Sequence, residues 1–205
     1  MDSSTGRNRS PTGKRPVFVV TGPSGAGKGT LIKALLERVP ELEVAVSATT
    51  RLRRAGEEDG REYYFLSDAE FARRVAAGEF LEHVTYVSGQ RYGTLRSEID
   101  RIAGQGHVCV LELETEGAIT VRERVQGAVA IFITAPVAEL ERRLRARATE
   151  SAGEIGERID LANSQLEEAN KFDYLIVNDD VERATGELED VIKRKLAAAA
   201  TMAKQ

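Results

Sequence analysis

Gly22-Pro-Ser-Gly-Ala-Gly-Lys-Gly-Thr30 lies between two apolar patterns of different period. Before it, Val17-Phe-Val-Val-Thr21 is a short run rich in β-branched residues, which reads as a buried strand. After it, Leu31, Ile32, Leu35, Leu36 and Val39 recur at helical spacing. Strand, glycine-rich turn and helix form the setting a phosphate-binding loop needs, and the stretch fits the G-x-x-x-x-G-K spacing. Glycines let the backbone fold around a polyphosphate with its N–H groups inward, and the helix N-terminus adds a favourable field. Gly22, Pro23, Ser24, Gly25, Ala26, Gly27, Lys28, Gly29 and Thr30 are the expected phosphate ligands, with the Lys28 cation on the β- and γ-phosphates. Position 29, usually Ser or Thr, is Gly, so the usual hydroxyl ligand for Mg²⁺ is missing or displaced to Thr30. The metal is then expected to rest mainly on phosphate oxygens and water, which suits its reluctance to dehydrate. The bland alternative, a turn that merely links strand to helix, is disfavoured by having the motif and both flanks together.

The 205 residues, 41% of them hydrophobic, suffice for one sizeable core with a small inserted subdomain. A net charge of −4 argues against a general nucleic-acid coat. The single cysteine, Cys109, excludes an internal disulfide or a zinc cluster and suits a reducing cytoplasm; it reads as a core residue. No apolar run approaches a membrane span. Residues 1–16 are rich in Ser, Gly, Pro, Arg and Lys, lack the apolar segment of a secretory signal, and read as a disordered basic tail.

Further on, Leu42–Ser47 looks like a strand. The stretch from Ala48 to Phe65 is too polar and glycine-interrupted for a core element. Its Arg51, Arg53, Arg54 and Tyr63 suit an oxyanion, since the planar guanidinium binds one bidentately; a solvated loop of mixed charge is an equal reading. Asp68–Ala77 reads as a short helix capped by Ser67 or Asp68, Phe80–Val87 as a partly alternating strand containing Glu82, Gly89–Thr94 as a turn, and Leu95–Gln105 as a helix. His83 has no second His or Cys nearby and reads as a packing residue.

Val108–Glu114, Val129–Thr134 and Tyr174–Val177 are further buried strands. Glu112 and Glu114 share strand parity and so one face, and an acid closing such a strand suits a metal-bound water near the phosphates; Glu112 is the expected indirect ligand. The helix Leu140–Arg147 carries Arg142, Arg143, Arg145 and Arg147, and Ala148 to Gly156 is small and polar. Arg158 opens a helical stretch to about Asn170, and a last helix starts near Val181. A mobile arginine-bearing segment facing a phosphate loop reads as a lid; a solvated basic face is the alternative.

The loop Gly22–Lys28, the block Val46–Phe65, Glu79-Phe-Leu-Glu82, Tyr92-Gly-Thr94, Leu111–Glu114 and Val177-Asn-Asp-Asp180 together resemble the guanylate kinase family over nearly all of the chain from Val17 to the last helix. The Val46–Phe65 block is the specific one. The resemblance implies an α/β fold, a P-loop NTPase-type parallel sheet flanked by helices. It also implies Mg²⁺-dependent transfer of the γ-phosphoryl group from ATP to GMP in purine nucleotide metabolism. It divides residues 17–205 into a core (17–46, 97–142 and 159–205), a GMP-binding subdomain (47–96) and a lid (143–158). It places the GMP phosphate on Arg51, Arg54, Tyr63 and Tyr92, and the guanine on Ser47, Glu82, Thr94 and Glu114. Lys28, Arg51, Arg143, Arg147 and Arg158 carry the catalytic charges, and Asn178 lies near the adenine of ATP. Thr94 and Ser47 are expected to donate to the guanine carbonyl, and Glu82 to be hydrated in an open cleft. Besides Gly29, two departures stand out: Glu114 where the family usually has Asp, and Ala148 where Gly is usual. Rival readings are another nucleoside monophosphate kinase, which the guanine-edge residues disfavour, and a non-catalytic scaffold module, which would be expected to lose Lys28. The implied partners are ATP and GMP, without nucleic acid or membrane, in a cytoplasmic monomer or homodimer.

Overall fold

The computed structural model describes residues 16–86, 88–147, 160 and 164–202. Five parallel strands form the core sheet in the order β2-β7-β1-β8-β9. They are β1 (Phe18–Thr21), β2 (Leu42–Val44), β7 (Val108–Glu112), β8 (Val129–Thr134) and β9 (Tyr174–Val177). β1 is central and buried at every position, as is β8. A strand buried on both faces must be apolar throughout, which is why these runs do not alternate.

Helices cover both faces. On one, α1 (Lys28–Arg38) and the long α6 (Val181–Met202) bury Leu31, Leu35, Leu188 and Ile192 with Phe18, Val20 and Ile131. On the other, α3 (Arg96–Gly104) and α4 (Thr115–Arg124) bury Ile99, Ile102, Ala118 and Val121 with Val19, Leu111 and Phe132. Alternate residues of β1 thus serve opposite layers, as strand period two requires. Cys109 lies buried in the second layer, and burial pushes its thiol up to about 12. Helix α5 (Val137–Arg147) follows β8.

Between β2 and α3 the chain builds a second, four-stranded sheet in the order β4-β3-β6-β5. Its strands are β3 (Ala48–Thr49), β4 (Tyr64–Phe65), β5 (Phe80–Thr85) and β6 (Arg91–Leu95), with α2 (Asp68–Ala76) beside them. The Ser67 hydroxyl caps α2 by accepting from the Glu70 N–H at 3.2 Å. Phe71 of α2 packs with Ala48, Phe80 and Leu95 in a small core of its own, and His83 meets the Phe71 and Phe80 rings edge-on.

Two expectations are corrected here. Gly89–Thr94 is a turn only at its start, where the Gly89 N–H donates to the Tyr86 carbonyl at 2.8 Å; Arg91–Leu95 is a strand paired on both sides. Gly93 is there for close packing, because a Cβ would meet the Glu82 carbonyl oxygen at 2.7 Å and a Phe80 ring carbon at 2.8 Å. The polar stretch 48–65 likewise supplies strands at both ends, with Ala48 and Thr49 wholly buried. Residues this short and polar become strands only because neighbouring strands complete their hydrogen bonds.

Candidate active site

The phosphate loop bridges the end of β1 and the start of α1. Gly22 has φ of 138°, and a Cβ on it would stand 1.9 Å from the Ile133 carbonyl oxygen. Gly27 caps α1 in the left-handed region (φ 84°) and presses against Asn178, whose Nδ2 would lie 2.4 Å from a Cβ. These two glycines are fixed by conformation and space together. Gly29 is different: a Cβ there meets nothing within 4 Å. Lys28 donates from Nζ to the Gly22 carbonyl at 2.7 Å and to that of Pro23 at 3.3 Å, so its ammonium is folded over the loop.

Asn178 and Arg143 brace the loop from behind. The Asn178 amide donates to the Ala26 carbonyl at 2.8 Å and is 1% exposed. Arg143 donates to the Gly25 carbonyl at 3.2 Å, the Asn178 carbonyl at 3.5 Å and the Glu139 carboxylate at 2.6 Å. Asn178, expected near the adenine of ATP, is buried under the loop, where its short amide satisfies a loop carbonyl that no strand reaches. Arg147 lies in α5; Arg158 and Ala148 lie outside the described residues.

A cleft of about 850 Å³ opens between the two sheets. Ser24 and Lys28 form one wall, and Ser47, Arg51, Arg54, Tyr63, Glu82, Tyr92, Glu112 and Glu114 line the rest. Arg51 is held before any ligand arrives. It donates to both Glu57 oxygens at 2.7 and 3.1 Å, and its guanidinium lies 5.3 Å from the centre of the Tyr63 ring. Glu57 also accepts from the Arg54 N–H at 2.7 Å. This pairing raises the Arg51 pKa and holds the Glu57 carboxyl below the usual carboxylate range. Tyr63 and Tyr92 meet edge-to-face at 5.9 Å, and Tyr92 meets Tyr86 at 5.2 Å.

Glu82 stands at the back of this cleft on β5, 6% exposed. The expectation that it is hydrated fails: burial raises its pKa, and only Thr94 counteracts this. The Thr94 hydroxyl donates to Glu82 Oε1 at 2.9 Å and is itself 1% exposed. Thr94 therefore orients the carboxylate rather than facing the cleft. The other oxygen packs on α4, where a Cβ on Gly117 would come within 2.7 Å of Glu82 Oε2. Glu112 ends β7 and opens into the cleft, where desolvation raises its pKa, Lys28 lowers it and Glu114 raises it. Glu114, beyond the strand, precedes α4 in the N-cap position.

Sequence reasoning missed Glu57, Gly117 and the lining residues Tyr86 and Gln90. Glu57 had a signal, being the acid six residues after Arg51 in a turn-rich stretch. Gly117 had none, since its role depends on a carboxylate 35 residues away.

A parallel sheet led by a phosphate loop, with an inserted arginine-bearing sheet across one cleft, defines a P-loop kinase of the nucleoside monophosphate class. The guanylate kinase family model matches residues 14–195. The guanylate kinase of Symbiobacterium thermophilum is 45% identical over 182 residues, 88% of this chain and 86% of its own. That of Rubrobacter xylanophilus is 45% identical over 88% of this chain and 95% of its own. The crystal structure of guanylate kinase from Anaplasma phagocytophilum superposes with a TM-score of 0.71 at 28% identity, covering 89% of this chain and 86% of that one. The chain belongs to the guanylate kinase family.

Proposed function

We propose that the chain transfers the γ-phosphoryl group of MgATP to GMP, giving ADP and GDP. One observation carries this reading. Lys28 of the phosphate loop and the Arg51, Arg54, Tyr63, Glu82 and Tyr92 set line the same cleft. Two anions can meet there end to end. The loop N–H groups and Lys28 hold the donor phosphates, while Arg51 and Arg54, with the Tyr63 and Tyr92 hydroxyls, hold the acceptor phosphate. Phosphoryl transfer asks mostly for positioning and charge stabilisation. The acceptor phosphate is already nucleophilic at neutral pH, so no general base is needed. Arg143, Arg147 and Arg158 are proposed to add charge as a lid over residues 143–158 closes on the cleft.

Glu82 suits the guanine edge, which offers N1–H and the exocyclic amine side by side. Adenine offers an unprotonated N1 there and would leave a buried carboxylate facing a lone pair. Ser47 and Glu114 line the same cleft and are proposed as further guanine contacts.

No group of three or more His, Cys, Asp or Glu that could hold a metal occurs among the described residues. With Gly29 lacking a hydroxyl, this donor set fits a Mg²⁺ that comes with its nucleotide, Glu112 accepting from the metal's waters. Such an ion neutralises charge on the β- and γ-phosphates.

The test is a coupled assay with MgATP across the four common monophosphates. GMP should be preferred over AMP by a factor of about 10⁴ in kcat/KM, the scale a hydrogen-bonding pocket achieves. Comparable values for AMP would overturn the acceptor assignment, and no turnover at all would favour a binding module.

A further inference from the structure

Glu98 is a charged side chain with 2% exposure, outside the cleft lining. It sits on α3, directly after β6 leaves the second sheet. Its carboxylate collects four donors. Oε2 accepts from the Val46 N–H at 2.8 Å, on the strand-to-strand link where the chain enters the second sheet. Oε1 accepts from the Tyr64 hydroxyl at 2.8 Å, on β4 at the far edge of that sheet. Arg101, one turn along α3, donates to both oxygens at 2.8 and 3.0 Å. Arg101 is held in turn by Glu43 of β2 at 2.7 Å, and Glu43 by His107 at 2.7 Å.

One carboxylate thus ties the entering chain, the leaving helix and an edge strand of the second sheet to the core. Leu81 of β5 also packs into the core. That contact is apolar and sets distance but little direction. Hydrogen bonds to a fixed carboxylate set direction. A buried charge is costly unless each of its oxygens is satisfied, and here each one is. A packed leucine would fill the joint but could not accept from Val46 and Tyr64 together.

We propose that Glu98 is a positioning residue, the joint that fixes the angle at which the second sheet stands over the phosphate loop. It touches no substrate. It acts through where Arg51, Tyr63 and Glu82 stand relative to Lys28. GMP serves as probe on the strength of the function proposed above, so the deciding measurement is one that needs no nucleotide.

That measurement is a distance distribution between spin labels at Ala77→Cys and Ala198→Cys, exposed positions on the second sheet's side and on α6. Cys109 is buried and stays unlabelled. Glu98→Gln keeps the shape but presents an amide N–H₂ to Arg101 or to its other donors. The distribution should broaden, and KM for GMP should rise about tenfold, the scale of a lost charge-assisted hydrogen bond. KM for ATP should stay within about twofold, because the phosphate loop is untouched. Tyr64→Phe removes one strut only and should raise KM for GMP about threefold with the fold intact. Should Glu98→Gln not fold, Tyr64→Phe decides alone. An unchanged distribution, or equal losses for both nucleotides with a lowered Tm, overturns the proposal.

Discussion

The two walls of the cleft are built by opposite means. The phosphate-loop wall is backbone: Gly22 and Gly27 hold it by φ and by packing so close that an added Cβ would stand 1.9 and 2.4 Å from its nearest neighbour, and Lys28 folds back on its carbonyls. The facing wall is side chains already paired with each other, Arg51 with Glu57 and Glu82 with Thr94. A backbone cradle recognises what all nucleoside triphosphates share, their phosphates. In the function proposed above, paired side chains recognise what differs, the base and the single phosphate. Substitutions on the first wall should therefore change rate, and substitutions on the second should change which acceptor is used.

The largest expected effect breaks the first wall. Lys28→Ala removes the one loop cation that can follow the transferring phosphoryl group. By analogy with loss of a single electrostatic donor, kcat should fall by about 10²–10³ or more, while Tm holds. Single-turnover kinetics beside a thermal melt checks both. Retention of most activity would remove Lys28 from its assigned role.

On the second wall, Glu82→Gln should cost about 10- to 150-fold in kcat/KM for GMP, the loss of a charge-assisted bond of about 1.5–3 kcal/mol. Discrimination against AMP should narrow, since an amide can donate to adenine N1. Stability should move the other way. The folded pKa of Glu82 is raised, so the wild type is most stable below the unfolded value near 4.5 and loses stability as pH rises through the folded pKa. Above that pKa the buried charge is a fixed cost that Gln removes. Tm of Glu82→Gln at pH 7 should match or exceed wild type, and its profile should lack that decline. Gly117→Ala tests the same carboxylate sterically: a Cβ 2.7 Å from Oε2 must displace it, so GMP discrimination should fall with Glu82 still present. Unaltered GMP/AMP ratios in both variants would leave Glu82 a mere strand residue.

The walls also differ in how far they were legible. Glycine spacing, an apolar strand and a helical repeat announce the phosphate loop, because the glycines that allow its backbone conformation lie within nine residues, whereas the packing of Gly22 on Ile133 and Gly27 on Asn178 is not legible there. Arg51, Arg54 and Tyr63 were visible as phosphate donors but balanced against a solvated loop, and the family resemblance tipped them. Thr94 reads as a guanine donor and Asn178 as an adenine neighbour, but the partners they take within the protein are not legible. Each bonds to a group far along the chain, Glu82 or Ala26, that no local pattern reveals. Gly93 read as a turn for the same reason: its small size serves Glu82 and Phe80 across the sheet.

Glu57→Gln is a finer probe of pre-pairing. Glu57 orients Arg51 and, in the function proposed above, would also compete with an incoming phosphate for it. If orientation dominates, KM for GMP should rise about threefold to tenfold, in line with a partly exposed pair. kcat at saturating GMP should change by less than about twofold. A fall in KM would mean that competition dominates and that the side-chain wall is held closed until the phosphate displaces Glu57.

The smallest effect comes from the one loop glycine that neither space nor φ requires. Gly29 is the second residue of α1, is exposed, and has nothing within 4 Å of a Cβ. Serine is a better helix residue than glycine by about 0.5 kcal/mol, so Gly29→Ser should raise stability by a few tenths to about 0.5 kcal/mol. It also restores a hydroxyl where the metal would use one. If phosphate oxygens and waters already complete the metal's shell, that hydroxyl only replaces a water. Activity at saturating Mg²⁺ should then stay within about twofold, and the Mg²⁺ concentration giving half-maximal rate should fall slightly. The contrast with Gly22→Ala is the sharpest way to probe the backbone wall: a Cβ at 1.9 Å from Ile133 should abolish folding or turnover, whereas one at position 29 should be absorbed. A large loss in Gly29→Ser would mean that the loop's shape depends on glycine where no contact demands it. A magnesium titration of the serine variant against wild type, with a melt of each, decides the point.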